Sequence, residues 1–136
     1  MKSKGALVFI EKRKIFWGLL EDQLYTVGRS SSDDFFLASK GISRTHASIC
    51  LRGDSFWIID GSIKGNSSTN GLFVNGEKVS LHRLKTHDII TFHKDSKAIF
   101  FDQKDSLKFD DEFSSFLNHL TTFLSQDAEN TSEAKT

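Results

Sequence analysis

Short apolar runs alternate with polar, turn-forming residues along most of this chain. From residue 5 to residue 102 no helical period appears, and the apolar runs recur about every ten residues, which is typical of strands in a sandwich or barrel. The ten candidate strands are 6–11, 15–20, 23–28, 34–37, 46–51, 55–60, 72–74, 78–82, 88–93 and 97–102. The Asn75-Gly76 pair predicts a hairpin, because both residue types accept the positive φ of two-residue turns.

The composition of these runs predicts an aromatic-rich core. The chain contains 13 phenylalanines and 2 tryptophans but no proline, so its turns depend on glycine, asparagine and aspartate. We expect the following side chains to point inward between two sheets: Trp57, Ile59, Val27, Ile49, Phe73 and Ile90.

A helical period replaces the strand pattern near the C-terminus. One helical face collects Phe109, Phe113, Phe116, Leu117, Leu120, Phe123 and Leu124. We therefore predict a β domain over 1–104, an amphipathic helix over 105–125 and a disordered acidic tail over 126–136. An apolar face of this size needs a cover, which the chain's own sandwich, a homodimer through residues 109–124 or a partner would provide.

The charge of the chain is balanced overall but unevenly distributed. There are 18 basic and 18 acidic residues; segment 102–136 has a net charge of −5 and segment 1–101 a net charge of +5. The zero total argues against a general binder of nucleic acids or membranes. The single cysteine, Cys50, and the lack of a long apolar run favour a reducing, cytoplasmic setting without a membrane segment.

Catalytic and metal-binding patterns are weak. Ser43, His46 and Asp60 form the only triad worth considering, but Ser43 and His46 are three positions apart and no nucleophile-elbow motif is present. His82, His87 and His93 are irregularly spaced among strands, which does not suit a metal site. We therefore expect no catalytic residue, no metal and no cofactor.

Polar donors adjoin the ends of several predicted strands. Arg29 carries a planar fork of N–H donors, Ser43 and Thr69 carry hydroxyls, and Asn70 carries an amide that can bind a peptide backbone. If their loops meet at one end of a sandwich, they would suit an anion with several acceptor oxygens, such as phosphate. Taken singly, each of these residues is also an ordinary turn residue.

The order of these motifs resembles the forkhead-associated (FHA) domain family. The matching stretches are Tyr25-Thr26-Val27-Gly28-Arg29, Ile42-Ser43-Arg44-Thr45-His46, Trp57-Ile58-Ile59-Asp60, Ser68-Thr69-Asn70-Gly71 and Asp88-Ile89-Ile90-Thr91-Phe92. The resemblance covers about residues 5–102. It implies an all-β fold, a two-sheet antiparallel β-sandwich of about eleven strands, that binds phosphothreonine peptides without catalysis.

The resemblance also assigns roles to individual residues. Arg29, Ser43 and Thr69 would hold the phosphate, Asn70 would hold the peptide backbone, and Arg44 would lie at the rim. The remaining motif residues, Gly28, His46 and Gly71, would shape the loops rather than touch the ligand.

Two features depart from the family pattern. Ten positions separate Asp60 from Asn70, so residues 61–67 look like an insertion, and its Lys64 would add a positive charge at the rim. Leu72 stands where the family often has threonine. Both departures lie beside the expected pocket. They bear more on which peptide side chains the protein prefers than on how it binds the phosphate.

The sequence thus predicts a phosphothreonine-peptide recognition module that acts as a non-catalytic adaptor in Ser/Thr kinase signalling. Its partners would be a phosphothreonine-containing protein and an upstream kinase. The alternative from another class is a phosphate-independent assembly scaffold that self-associates through its sandwich and C-terminal helix.

Overall fold

Eleven strands make up the β part of the chain. A computed structural model describes residues 4–103 and 111–122. The strands are β1 (Gly5–Glu11), β2 (Lys14–Leu20), β3 (Leu24–Gly28), β4 (Phe35–Phe36), β5 (Ala47–Arg52), β6 (Ser55–Asp60), β7 (Phe73–Val74), β8 (Glu77–Lys78), β9 (Leu81–Arg83), β10 (Ile89–His93) and β11 (Ser96–Asp102). The all-β prediction is confirmed.

The strands form two sheets. One has six strands in the order β2-β1-β11-β10-β7-β8, and the other has five in the order β4-β3-β5-β6-β9. The pairs are antiparallel except for β3 and β4, which run parallel with Val27 opposite Phe35. The predicted antiparallel sandwich is therefore confirmed. The one local exception is β4, which pairs with β3 in the parallel direction after the chain has turned back.

The predicted strand 78–82 is wrong as a single element. Lys78 of β8 pairs with Phe73 in the six-stranded sheet, whereas Leu81 of β9 pairs with Ile59 in the five-stranded sheet. Between them Val79 N–H donates to Leu72 O and Ser80 O accepts from Asp60 N–H, both at 2.9 Å. The alternation of polar and apolar residues is continuous from Lys78 to His82, but the chain crosses from one sheet to the other within it.

Alternate residues of the central strands fill the space between the sheets. Four of the largest side chains in this space are phenylalanines, all nearly solvent-free: Phe9, Phe56, Phe92 and Phe100. Phe9 lies 4.8 Å, centroid to centroid, from Phe16 in a stacked arrangement. The aromatic-rich core is confirmed.

Half of the predicted inward positions are wrong. Val27, Ile49 and Ile90 are fully buried, but Trp57, Ile59 and Phe73 are only partly buried. Phe56 and Ile58 of β6 are in the core instead. Because successive side chains of a strand point to opposite faces, Trp57 and Ile59 lie on the outer face of the five-stranded sheet. The run Phe56–Ile59 is apolar on both faces, so its sequence pattern could not tell inside from outside.

The C-terminal helix is confirmed for residues 111–122. Residues 105–110 and 123–125 of the predicted helix, and the predicted tail 126–136, lie outside the described residues. The chain divides into two compact units, Met1–Gln103 and Lys104–Thr136, and all eleven strands belong to the first. Within the described residues no helix has the length and apolar character needed to cross a membrane.

Candidate functional site

Three loops meet at one end of the sandwich. They are the β3–β4 loop (29–34), the β4–β5 loop (37–46) and the β6–β7 loop (61–72). Arg29 N–H donates to Ser43 O at 3.1 Å, and Thr69 N–H donates to Ser43 Oγ at 2.9 Å. The structure thereby brings Arg29, Ser43 and Thr69 together around the middle loop, although they are far apart in sequence.

The Arg29 side chain keeps most of its donors available. Its Nε donates to Ile42 O at 2.9 Å, which fixes the guanidinium against the β4–β5 loop. A guanidinium has five N–H donors, and the two terminal amino groups have no partner among the described residues. The fork is therefore oriented by the protein and still able to bind an anion with two parallel hydrogen bonds.

The hydroxyls of Ser43 and Thr69 add donors beside this fork. Ser43 Oγ accepts the Thr69 N–H, so its own proton remains free to be donated. Thr69 is exposed, and its Oγ1 has no partner within 4–103. A phosphate group at this place would find an arginine fork and two hydroxyls.

Arg44 is exposed next to this group. Its side chain makes no hydrogen bond or ion pair with any residue that the structure describes. It therefore adds a positive charge at the edge of the cluster without a structural task of its own.

Close packing of the backbone explains why residue 28 is a glycine. A Cβ atom at this position would lie 2.5 Å from Asp33 Oδ2 and 2.8 Å from Ser43 O, so only glycine allows the β4–β5 loop to approach the end of β3. Asp33 is 8% exposed and accepts from Ser30 N–H, Thr45 N–H and Thr45 Oγ–H. Sequence reasoning missed Asp33 and Thr45, which tie the first two loops together.

His46 joins the second and third loops. It is completely buried, with Ser43 N–H donating to Nδ1 at 3.0 Å and Nε2 lying 2.7 Å from Gly71 O. Since Nδ1 is an acceptor, the ring proton must be on Nε2 and donate to Gly71 O. Burial is the main reason that the pKa of His46 lies below its ordinary value, so the ring is neutral at neutral pH.

This geometry contradicts a Ser43–His46–Asp60 hydrolase triad. Both nitrogens of His46 bind backbone groups, so neither accepts a proton from the Ser43 hydroxyl. Asp60 Oδ1 accepts from Ser68 N–H at 3.1 Å. No group of three metal-ligating side chains occurs in the described parts of the chain.

Asn70 and Gly71 form the end of the third loop. Asn70 Nδ2 donates to Gly41 O at 2.8 Å, which orients the amide and leaves its Oδ1 as an acceptor without a described partner. Gly71 has φ +90° and donates its N–H to Ser68 Oγ at 3.0 Å. The next residue, Leu72, is fully buried in the core, so this departure from the family pattern belongs to packing.

The insertion 61–67 closes on itself. Ser62 N–H donates to Asn66 O at 2.9 Å, and Gly65 N–H donates to Ser62 O at 3.0 Å. Gly61, at φ +81°, has no room for a Cβ beside Asn66 O. Because Asp60 binds Ser68 directly across the insertion, the extra residues form a separate turn, and its Lys64 is exposed.

Comparisons with known proteins identify the family to which this fold belongs. The model of the FHA domain family matches residues 25–93, about half of the chain and all three loops. The structure of the Slr1951 protein from Synechocystis sp. has 32% identity and a TM-score of 0.67, covering 71% of this chain and 96% of that one. The chain belongs to the FHA domain family.

Two further relatives define the extent of the similarity. A structure of an FHA domain studied for phosphothreonine-dependent interactions has 25% identity and a TM-score of 0.61, and covers 73% of this chain and 95% of that one. An uncharacterized protein of Synechocystis sp. is 35% identical over an alignment of 97 positions that covers 65% of this chain. The match spans only 14% of that longer relative.

Proposed function

We propose that this chain binds phosphothreonine peptides and acts as a non-catalytic adaptor in Ser/Thr kinase signalling. One observation carries the proposal: the Arg29 fork and the Ser43 and Thr69 hydroxyls lie on loops bonded to one another, and donors remain free on all three side chains. The FHA domain studied for phosphothreonine-dependent interactions supports it by similarity.

In this proposal each loop has a defined task. Arg29, Ser43 and Thr69 bind the phosphate oxygens, and the free Oδ1 of Asn70 accepts from the peptide backbone beside the phosphorylated residue. Arg44 contributes positive charge at the rim. Gly28, His46 and Gly71 keep the three loops in position and do not contact the ligand.

A pocket walled by loop backbone also suits threonine better than serine. A buried methyl-sized group contributes about 0.8 kcal/mol, and the branched side chain of threonine has fewer rotamers to lose on binding. We expect phosphothreonine to bind several-fold more tightly than phosphoserine in the same peptide.

The upstream enzyme would be a Ser/Thr kinase, and the partner a phosphothreonine-containing protein of the cytoplasm. A phosphate-independent scaffold is the alternative. Its homodimer segment 109–124 lies partly outside the described residues.

An oriented peptide library with a central phosphothreonine tests the proposal. We expect selective retention of phosphorylated peptides by the protein and none of the matched unmodified threonine library. Retention of both libraries to the same extent would favour the scaffold. Retention of neither would contradict peptide recognition altogether.

A further inference from the structure

A second group of turns lies next to Asn70. The Asn70 amide donates to Gly41 O, so this end of the proposed peptide site rests on the β4–β5 loop. A Cβ atom on Gly41 would collide with the His93 ring. Gly41 therefore lies directly over the end of β10, and Lys94 in the β10–β11 turn follows immediately.

Glu11 fastens this loop to the adjacent strands. Its carboxylate accepts from Ala38 N–H at 3.0 Å, from Ser39 N–H at 3.2 Å and Ser39 Oγ–H at 3.1 Å, and from Ser96 Oγ–H at 2.9 Å. Lys12 N–H also donates to Asp95 O at 3.0 Å. The β1–β2 turn, the start of the β4–β5 loop and the β10–β11 turn are thus one connected surface.

This surface is positively charged. Residues 12–13, 38–41 and 94–95 contain four cationic side chains and one acidic one, Asp95. Lys12, Lys40 and Lys94 are exposed, and their ammonium groups make no hydrogen bond or ion pair with any described residue. The bonded Glu11 carboxylate keeps its negative charge, so with Asp95 it offsets two of the four cations, and residues 11–13, 38–41 and 94–95 have a net charge of +2.

We propose that this surface, which we call the basic rim (Lys12, Lys40 and Lys94), selects phosphopeptides with acidic residues on the flank that leaves the site past Asn70. The inference rests on the proposed function and adds the class of peptide. The path from Asn70 across Gly41 leads first to Lys40 and Lys94 and then to Lys12. Acidic side chains on that flank would meet three exposed cations that make no ion pair with any described residue.

The expected selectivity is moderate and depends on salt. Single exposed ion pairs contribute little, so two or three of them should raise affinity roughly fivefold to tenfold at low ionic strength. Screening reduces such contributions, since the Debye length falls from about 30 Å at 0.01 M salt to about 8 Å at 0.15 M. The phosphate contacts to Arg29 and Ser43 would remain.

The experiment compares three phosphothreonine peptides of one sequence by calorimetric titration of the full chain. One peptide has uncharged flanks, one has three aspartates before the phosphothreonine, and one has three aspartates after it. The test variant is K40Q/K94Q. The matched control is K4Q/K85Q, because Lys4 and Lys85 are equally exposed but lie at the opposite end of the strands.

We expect one of the two acidic peptides to bind the wild-type protein five- to tenfold more tightly than the uncharged peptide. K40Q/K94Q should lose this preference and keep the wild-type affinity for the uncharged peptide, whereas K4Q/K85Q should retain the preference. Thermal unfolding of each variant confirms that it is folded.

The alternative results are distinguishable. If all three peptides bind the wild-type protein equally, or if both variants lose the preference equally, the basic rim is not selective and the inference is wrong, while the proposed function stands. If no phosphothreonine peptide binds, the proposed function fails and the inference fails with it.

Discussion

At the scale of single residues, the candidate site depends on side chains that satisfy the backbone of neighbouring loops. Asp33 and His46 are buried, and each binds backbone groups of a second loop. Their hydrogen bonds leave donors on the side chains of Arg29, Ser43 and Thr69 unused. If the proposed function is correct, loop-shaping and ligand-binding tasks fall to different residues, and mutation can separate them.

Arg29→Ala should weaken phosphopeptide binding by roughly 30-fold or more. A hydrogen bond to a charged group contributes about 1.5–3 kcal/mol, Arg29 can offer two of them, and about 1.4 kcal/mol corresponds to tenfold. Titration with a phosphothreonine peptide measures the loss. Arg52→Ala, an exposed arginine at the far end of β5, is the control and should bind normally. Normal binding by a folded Arg29→Ala protein would remove Arg29 from the site.

Mild acid should destabilise the loop arrangement, because His46 then becomes protonated. Its pKa is lowered by burial, so the unfolded chain takes up this proton at higher pH than the folded protein does. The contribution to the free energy of unfolding is therefore complete above about pH 6.5. It is lost as pH falls from there toward the folded pKa, when protonated Nδ1 faces the Ser43 N–H.

An NMR titration of the histidine ring protons measures this pKa directly. We expect His46 to titrate below the ordinary histidine range in the folded protein, with weaker phosphopeptide binding once it is charged. A His46 signal that titrates at or above about pH 6.5 would show that the ring is not held in its neutral form.

At the scale of the strands, the crossing from β8 to β9 and the orientation of β6 decide which apolar residues form the core. Phe56 is 1% exposed and lies 5.9 Å from Phe100 between ring centroids. Trp57, its neighbour, lies opposite Cys50 on the outer face. The larger aromatic residue is therefore the less important one for stability.

Phe56→Ala should lower the free energy of unfolding by about 3–5 kcal/mol, the usual cost of removing a buried aromatic ring. Trp57→Ala should cost clearly less, because a partly exposed ring on the outer face loses fewer contacts and leaves no closed cavity. Urea denaturation of both variants gives the comparison. A larger loss for Trp57→Ala would place the tryptophan in the core after all.

At the scale of the whole molecule, the site and the core both lie in the unit Met1–Gln103. The three loops, the basic rim and the eleven strands need no residue beyond it for the bonds described above. The helical residues 111–122 belong to a separate unit, whose apolar residues recur at helical spacing.

A fragment of residues 1–104 should therefore fold and bind phosphothreonine peptides with the affinity of the full chain. Circular dichroism and titration test this, with the full chain as the control. Sedimentation of both proteins at low and high salt shows whether the C-terminal segment associates. A dimeric full chain beside a monomeric fragment would assign self-association to residues 105–136. An unfolded or aggregated fragment would contradict the predicted domain boundary.

Local patterns of residues predicted the features that depend on neighbouring positions in the chain. Alternation of apolar positions and glycine or asparagine turns sufficed for the strands, and the helical period sufficed for residues 111–122. The ordered motifs around Arg29, Ser43 and Asn70 sufficed for the family. The strand, turn and helix signals each lie within a short stretch of chain, the range over which backbone periodicity and turn chemistry act. The family signal is instead the order of short motifs between Tyr25 and Phe92.

Features that depend on distant residues could be read only from the folded chain. The parallel pairing of β3 with β4 and the outward position of Trp57 follow from which sheet each strand joins. The anchoring of the β4–β5 loop depends on Glu11, 28 positions before Ser39 and 85 before Ser96. No local pattern marks such a carboxylate, because its role exists only once folding has brought its donors to it and removed water from around them.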